Sequence, residues 1–258
     1  MKNALLLMLV VVASCGKIPK LQFRLKSSLE PQNVSAIYGS AILNVKVFYE
    51  PGAEPYTDKV LTFKTFDLFH KNIDSLFEGK TNRPTVNIPR ELSEMTKISV
   101  QAKTIWTVEE VMALAEANPN PVAADNSNFS IFFLNGVSKE NSSTIGLHIS
   151  KTNVIAIFKD VIKSTANGSD PLVPKYVEQA TLVHEMGHAL GLVNNGVPMY
   201  TPHQDTAHGA HCSNPDCVMY YSNEGTASMM KFATEKVAKL SFVMFDQQCL
   251  NDTQNYKK

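Results

Sequence analysis

Lys175-Tyr176-Val177-Glu178-Gln179-Ala180-Thr181-Leu182-Val183-His184-Glu185-Met186-Gly187-His188-Ala189-Leu190-Gly191-Leu192 carries the densest information in the chain. Val177, Ala180, Leu182, Val183, Met186, Ala189 and Leu190 leave little room for a solvated face, so the stretch, which follows Pro171 and Pro174, predicts a largely buried helix of about five turns. Residues four apart on a helix differ by about 40° in azimuth and about 6 Å along the axis, so His184 and His188 project from one face and can share a metal ion. Glu185 lies about 100° round from His184, where a carboxylate reaches a water at the metal without being a ligand itself. Gly187 costs about 1 kcal/mol inside a helix, and Gly191 stands three residues past His188. A left-handed residue at Gly191 would end the helix beneath the two histidines and turn the chain back toward them; otherwise the two glycines allow close packing.

Around this helix, strand-like and helix-like pieces alternate with no repeat. Residues 41–48, 85–88, 129–134, 144–149 and 154–158 read as strands, and 66–77, 108–117 and 226–247 as helices. Gly79 suits the end of the second piece, and Thr107 with Glu109 and Glu110 suits the start of the helix at 108. The order predicts an α/β (α+β) domain over 35–258, with a twisted mixed sheet on helices, an active-site helix and a mainly helical C-terminal subdomain.

A catalytic zinc has three protein ligands and one open position, so a third ligand is required after the helix. Five of the seven histidines fall between 184 and 211, with His203, His208 and His211 downstream. The order HExxHxxG, then His211-Cys212, four residues, Cys217-Val218-Met219, resembles the metzincin zinc metallopeptidases, and within them the archaemetzincin branch. That resemblance implies His211 as third ligand, Met219 as the methionine of the turn beneath the metal, and Tyr221, two residues on, as a hydroxyl that steadies the oxyanion. It also implies peptide hydrolysis, with Glu185 as general base and acid. The metzincin spacing puts Asn194 where the third histidine is expected, so residues 192–210 must loop out before His211. The family's downstream CxxC pair is missing as well, and only Cys249 remains, which rules out a four-cysteine structural site.

The extended segment 144–149 is the expected edge on which a peptide substrate would lie. Two rival readings stay open: a gluzincin-type site with Glu224 or Glu235 as third ligand, and a surface binding lipoprotein with a non-catalytic metal site. The intact Glu185 favours catalysis, since a structural site needs no acid beside an open position.

Residues 1–14 hold one lysine and an unbroken apolar run from Ala4 to Val12, the outline of a signal peptide too short to span a bilayer. Val12-Ala13-Ser14-Cys15 resembles the bacterial lipobox, which makes Cys15 the expected lipidation site and 15–34, with Lys17, Lys20, Arg24 and Lys26, a membrane-proximal tether. The expected location is therefore the bacterial cell envelope. The 24 basic and 24 acidic residues leave no clustered positive field for nucleic acid. In such a compartment Cys212, Cys217 and Cys249 predict one disulfide in any of three pairings. One zinc ion is expected, with His203, Asp205 and His208 available to help bind a second.

Overall fold

The computed structural model describes residues 26–27, 34–60, 62–123, 125–166, 170–239 and 241–257. The leader expected over 1–14, the Cys15 anchor and most of the tether at 15–34 lie outside the described residues. Among those described, no helix is long and apolar enough to cross a membrane.

The chain forms α1 (Val34–Tyr38), β1 (Ile42–Tyr49), α2 (Phe66–Ser75), β2 (Thr85–Asn87), β3 (Thr96–Lys97), α3 (Val108–Ala117), β4 (Asn126–Leu134), β5 (Gly146–His148), β6 (Val154–Phe158), α4 (Lys159–Ser164), α5 (Val173–Ala189), α6 (Thr226–Ala238) and α7 (Gln247–Asn255). The main sheet runs β5-β6-β4-β1-β2, and β3 pairs with the far end of β1. β1, β4 and β6 are parallel, with Val47 opposite Ile131 and Ile131 opposite Ile155. β5 runs antiparallel to β6 at the edge, so the sheet is mixed. Outside it, Lys26–Ser27 pairs antiparallel with Pro121–Val122.

The central strands read as continuous apolar runs because layers cover both faces. Every residue of β6 is buried, as are Phe129, Ile131, Phe132, Phe133 and Leu134 of β4. The rings of Phe48 and Phe132 stack at 4.7 Å across neighbouring strands. Each such side chain contributes about 1.5–3 kcal/mol on leaving water. β4 starts three residues before the apolar run begins. Its first residues, Asn126, Ser127 and Asn128, are polar; the buried Ser127 hydroxyl meets that of Ser40, and the Asn128 amide donates to Asn120 Oδ1 at 3.2 Å and the Pro121 carbonyl at 2.7 Å.

Local signals fixed α3 most firmly. The Thr107 hydroxyl accepts from the Glu110 N–H at 3.3 Å and the Glu110 carboxylate accepts from the Thr107 N–H at 3.0 Å, a reciprocal capping box. The helix expected over 226–247 stops at Ala238, and a separate helix, α7, begins only at Gln247 and runs to Asn255, for a tertiary reason. Asn72, buried on α2, donates to the Phe242 carbonyl at 2.7 Å and accepts from the Met244 N–H at 2.7 Å, while the Met244 carbonyl accepts from the Val218 N–H at 2.9 Å. These partners hold residues 242–244 extended, and Asp246 then caps α7 by accepting from the Cys249 N–H at 2.9 Å.

The helix that opened the sequence reading begins at Val173, two residues earlier than expected, and ends at Ala189 with Leu190 as its cap. Gly191 adopts φ +81°. The Gly191 N–H donates to the His188 carbonyl and the Leu192 N–H to the Gly187 carbonyl, both at 3.0 Å, the paired bonds of a Schellman turn. Val34 of α1 lies against this turn: a Cβ on Gly191 would meet its Cγ2 at 2.7 Å. On its other side α5 rests on the sheet edge, where a Cβ on Gly146 would meet Glu185 Cγ at 3.0 Å.

Candidate metal centre

α5, the returning loop and the segment after it bring His184, His188, His211 and Glu224 together, with one ligand atom from each lying within 4.8 Å of all the others. The helix supplies the first pair, whose Nε2 atoms are 3.1 Å apart. His211 comes from the loop, and its ring centroid is 5.4 Å from that of His184 and 4.8 Å from that of His188. The loop-out before His211 therefore brings its imidazole back to the helix. Asn194 faces elsewhere and donates to Gln204 Oε1 at 3.3 Å. Glu235, on α6, is not part of this cluster.

The backbone sets which nitrogen of each ring is free. Nδ1 of His184 is 2.7 Å from the Val218 carbonyl and Nδ1 of His211 is 2.6 Å from the His208 carbonyl, so these nitrogens donate and each Nε2 keeps its lone pair. Burial lowers His184 to about 4, and burial with the neighbouring His184 takes His188 well below the usual histidine range. Both are thus neutral near pH 7, the form that binds a metal. Burial also opposes charge on His211, but the Glu224 carboxylate and the His208 carbonyl outweigh it and raise that pKa. Nε2 of His211 is buried with no hydrogen-bond partner, although Glu224 Oε1 lies 3.1 Å away. A buried imidazole lone pair aimed into a ring of ligand atoms fits a divalent transition ion such as zinc.

Glu185 sits beside this cluster. Its carboxylate accepts the His148 N–H of β5 at 2.7 Å. Burial pushes it up to about 8, against the lowering effect of that N–H. Its affinity for a proton is thus brought close to neutral pH, within reach of both taking and giving one. Met219 is fully buried beneath the helix, and a Cβ on Gly187 would overlap its Sδ and come to 3.1 Å of its Cε. Gly187 is therefore glycine because the thioether occupies the space of a side chain. Tyr221 stacks its ring on His208, centroids 3.6 Å apart and 5° from parallel, next to the residue whose carbonyl orients His211.

A second cluster was not foreseen. Cys212, Cys217, Cys249 and Asp246 also bring their ligand atoms within 4.8 Å of one another. The expected disulfide is not formed: all three thiols are free and buried, and Cys217 Sγ and Cys249 Sγ are 3.5 Å apart, against about 2.05 Å for a bonded pair. The thiols converge on a common point instead of pairing. Hydrogen bonds from Cys217 and Cys249 hold Cys212 far below the usual thiol range. The alternative trio also separates: His203 is buried between Asp252 (Nε2 to Oδ2, 2.6 Å) and Cys212 Sγ (3.3 Å from Nδ1), whereas His208 pairs with Asp205 at 2.7 Å toward the surface. The spacing from Cys217 to Cys249 gave no sign of this convergence, which depends on the break between α6 and α7.

No protein-family model matches the chain, and no curated protein matches it. Among solved structures, a zinc-dependent peptidase from Methanocorpusculum labreanum (strain Z) aligns with 81% of this chain and 100% of its own, at 11% identity and a TM-score of 0.45. The chain's own elements define an α/β fold, with a twisted mixed sheet packed on helices, a helical C-terminal region and, among the described residues, two clusters of metal-ligand side chains.

Proposed function

We propose that this protein is a zinc-dependent endopeptidase of metzincin type, with His184, His188 and His211 as ligands and Glu185 as the group that moves protons. The observation that carries the reading is the convergence of three imidazoles on one point with a buried carboxylate next to them. When bound, zinc polarises a carbonyl and lowers the pKa of a water toward 7. Glu185 takes a proton from the attacking water and returns it to the leaving amine. The His148 N–H keeps its carboxylate oriented, and burial keeps its proton affinity high enough for both tasks. An extended peptide lies along β5, on the strand whose backbone already holds Glu185. Met219 supports the ligand helix from below, and Tyr221 is the candidate for steadying the oxyanion.

The thiol cluster is read as a structural zinc site, with Cys212, Cys217 and Cys249 as ligands and Asp246 or the adjacent His203 as the fourth. Three buried sulfurs sharing one low-pKa thiol favour a thiophilic ion. Lipid attachment at Cys15 and residence at a bacterial envelope membrane complete the reading, supported by the sequence pattern at 12–15.

The test is zinc content and cleavage of a diverse peptide library by wild type, Glu185→Gln and His211→Ala. Glu185→Gln is expected to keep zinc and lose activity by about 10²–10⁴-fold. His211→Ala is expected to lose zinc at the histidine site. Full zinc with no cleavage of any peptide would favour the non-catalytic binding reading instead.

A further inference from the structure

Glu224 is the feature that the peptidase reading leaves unused. Its carboxylate lies within 4.8 Å of the ligand nitrogens of all three histidines, at ligand range, whereas the carboxylate of Glu185 is turned to the His148 N–H. Glu224 occupies the end of a short 3-10 turn, Tyr221–Glu224, that follows Met219. Both sides of that turn are pinned. Asn223, buried, donates to the carbonyls of Cys217 at 3.2 Å and Val218 at 3.1 Å, and the same Val218 carbonyl orients His184. On the other side Gly225 forms an antiparallel bridge with Thr144, and the Thr226 hydroxyl donates to the Ser143 carbonyl at 2.9 Å.

We infer that Glu224 is a fourth protein ligand that closes the metal's coordination shell in the resting molecule. The inference rests on the zinc site proposed above. Three imidazoles and one carboxylate complete a tetrahedron, the arrangement of a closed site, and leave no position for water. The side chain is 61% exposed, so it can swing away without opening the core. The same geometry supplies the means of opening. Ile145 and Ile149 bond to the β6 side, so the alternate residues 144, 146 and 148 direct their backbone groups outward; the His148 N–H already holds Glu185, which leaves the row around Gly146 for an added strand. Gly225 already lies bridged against the Thr144 end of that row, with its own N–H turned to the Ser222 carbonyl and that of Thr144 to the Asn141 carbonyl. A peptide adding to β5 competes with Gly225 for it, and displacing Gly225 draws Glu224 off the metal. Substrate binding and site opening then become one event, and small anions have no access before it.

The experiment compares wild type, Glu224→Ala and, as a control on α6 outside the cluster, Glu235→Ala. Zinc affinity is measured against a chromophoric chelator, and the cobalt-substituted forms are titrated with acetate while their visible spectra are recorded. Glu224→Ala is expected to bind zinc about tenfold or more weakly. Its cobalt spectrum is expected to shift with acetate, while the spectra of wild type and Glu235→Ala do not respond. Equal zinc affinity and an equal acetate response in wild type and Glu224→Ala would overturn the inference while leaving the three-histidine site intact. A wild type that binds no ion at the histidines would overturn the site itself, a separate failure.

Discussion

At Gly187 two residue-scale effects oppose each other. Alanine is the better helix former by about 1 kcal/mol. Its Cβ, however, would overlap the Met219 sulfur, and overpacking of this kind costs about 1–3 kcal/mol. Gly187→Ala is therefore expected to lower stability by about 1 kcal/mol net, read by urea unfolding, and to weaken zinc binding because Met219 is pushed away from the ligand helix. A stabilised variant would mean that the thioether relocates freely and does not support the site. The juxtaposition of His184 and His188 was legible in the sequence because a helix converts a spacing of four into a shared face. Glu224 as a neighbour of His211 was not, since a turn, a buried asparagine and a bridge to Thr144 together decide where its carboxylate points.

Elements divide in the same way. α3 and β6 match their expected bounds because their signals are local: a capping box in the first, an apolar run bounded by turns in the second. The expected helix ran on past α6 to residue 247 because the apolar residues after Ala238 suit a helix as well as a clamped segment, and Asn72, 170 residues earlier, makes the choice. Asn72→Ala leaves the buried Met244 N–H unpaired, at about 1–3 kcal/mol, and the half-buried Phe242 carbonyl without its partner, at less. A loss of about 2 kcal/mol or more is expected in chemical denaturation, and because the Met244 carbonyl also holds Val218, reduced zinc affinity should accompany it. An unfolding midpoint equal to wild type would show that the clamp adds nothing. Thr107→Ala, far from the metal, is expected to cost only about 1 kcal/mol and to leave zinc binding unchanged.

For the whole molecule, two clusters of metal-ligand side chains on one scaffold would, once loaded as proposed, couple folding to metal. An ion bound a thousandfold above its dissociation constant adds about 4 kcal/mol to folding. Exhaustive chelation is accordingly expected to lower the melting temperature by several degrees, with zinc alone restoring it. Metal analysis is expected to give two ions per chain in wild type and one in Cys249→Ser, with the remaining ion still at the histidines. A single ion in both would limit the thiols to packing. The sequence conveyed the general architecture and the helix that carries His184 and His188, and it missed the thiol convergence, because three cysteines separated by a helix break leave no local pattern.

The pairing of Lys26–Ser27 with Pro121–Val122 acts on a longer length scale. Lys26 is eleven residues from Cys15, and a chain of that length, however arranged, spans no more than roughly 40 Å. In the lipid-anchored form proposed above, this sets a working height: the strand pair that holds Lys26, and the domain packed on it, stay tethered within about that distance of the bilayer. Proteins would then be selected first by how close their scissile segments lie to the membrane, and only afterwards by the side chains flanking the bond.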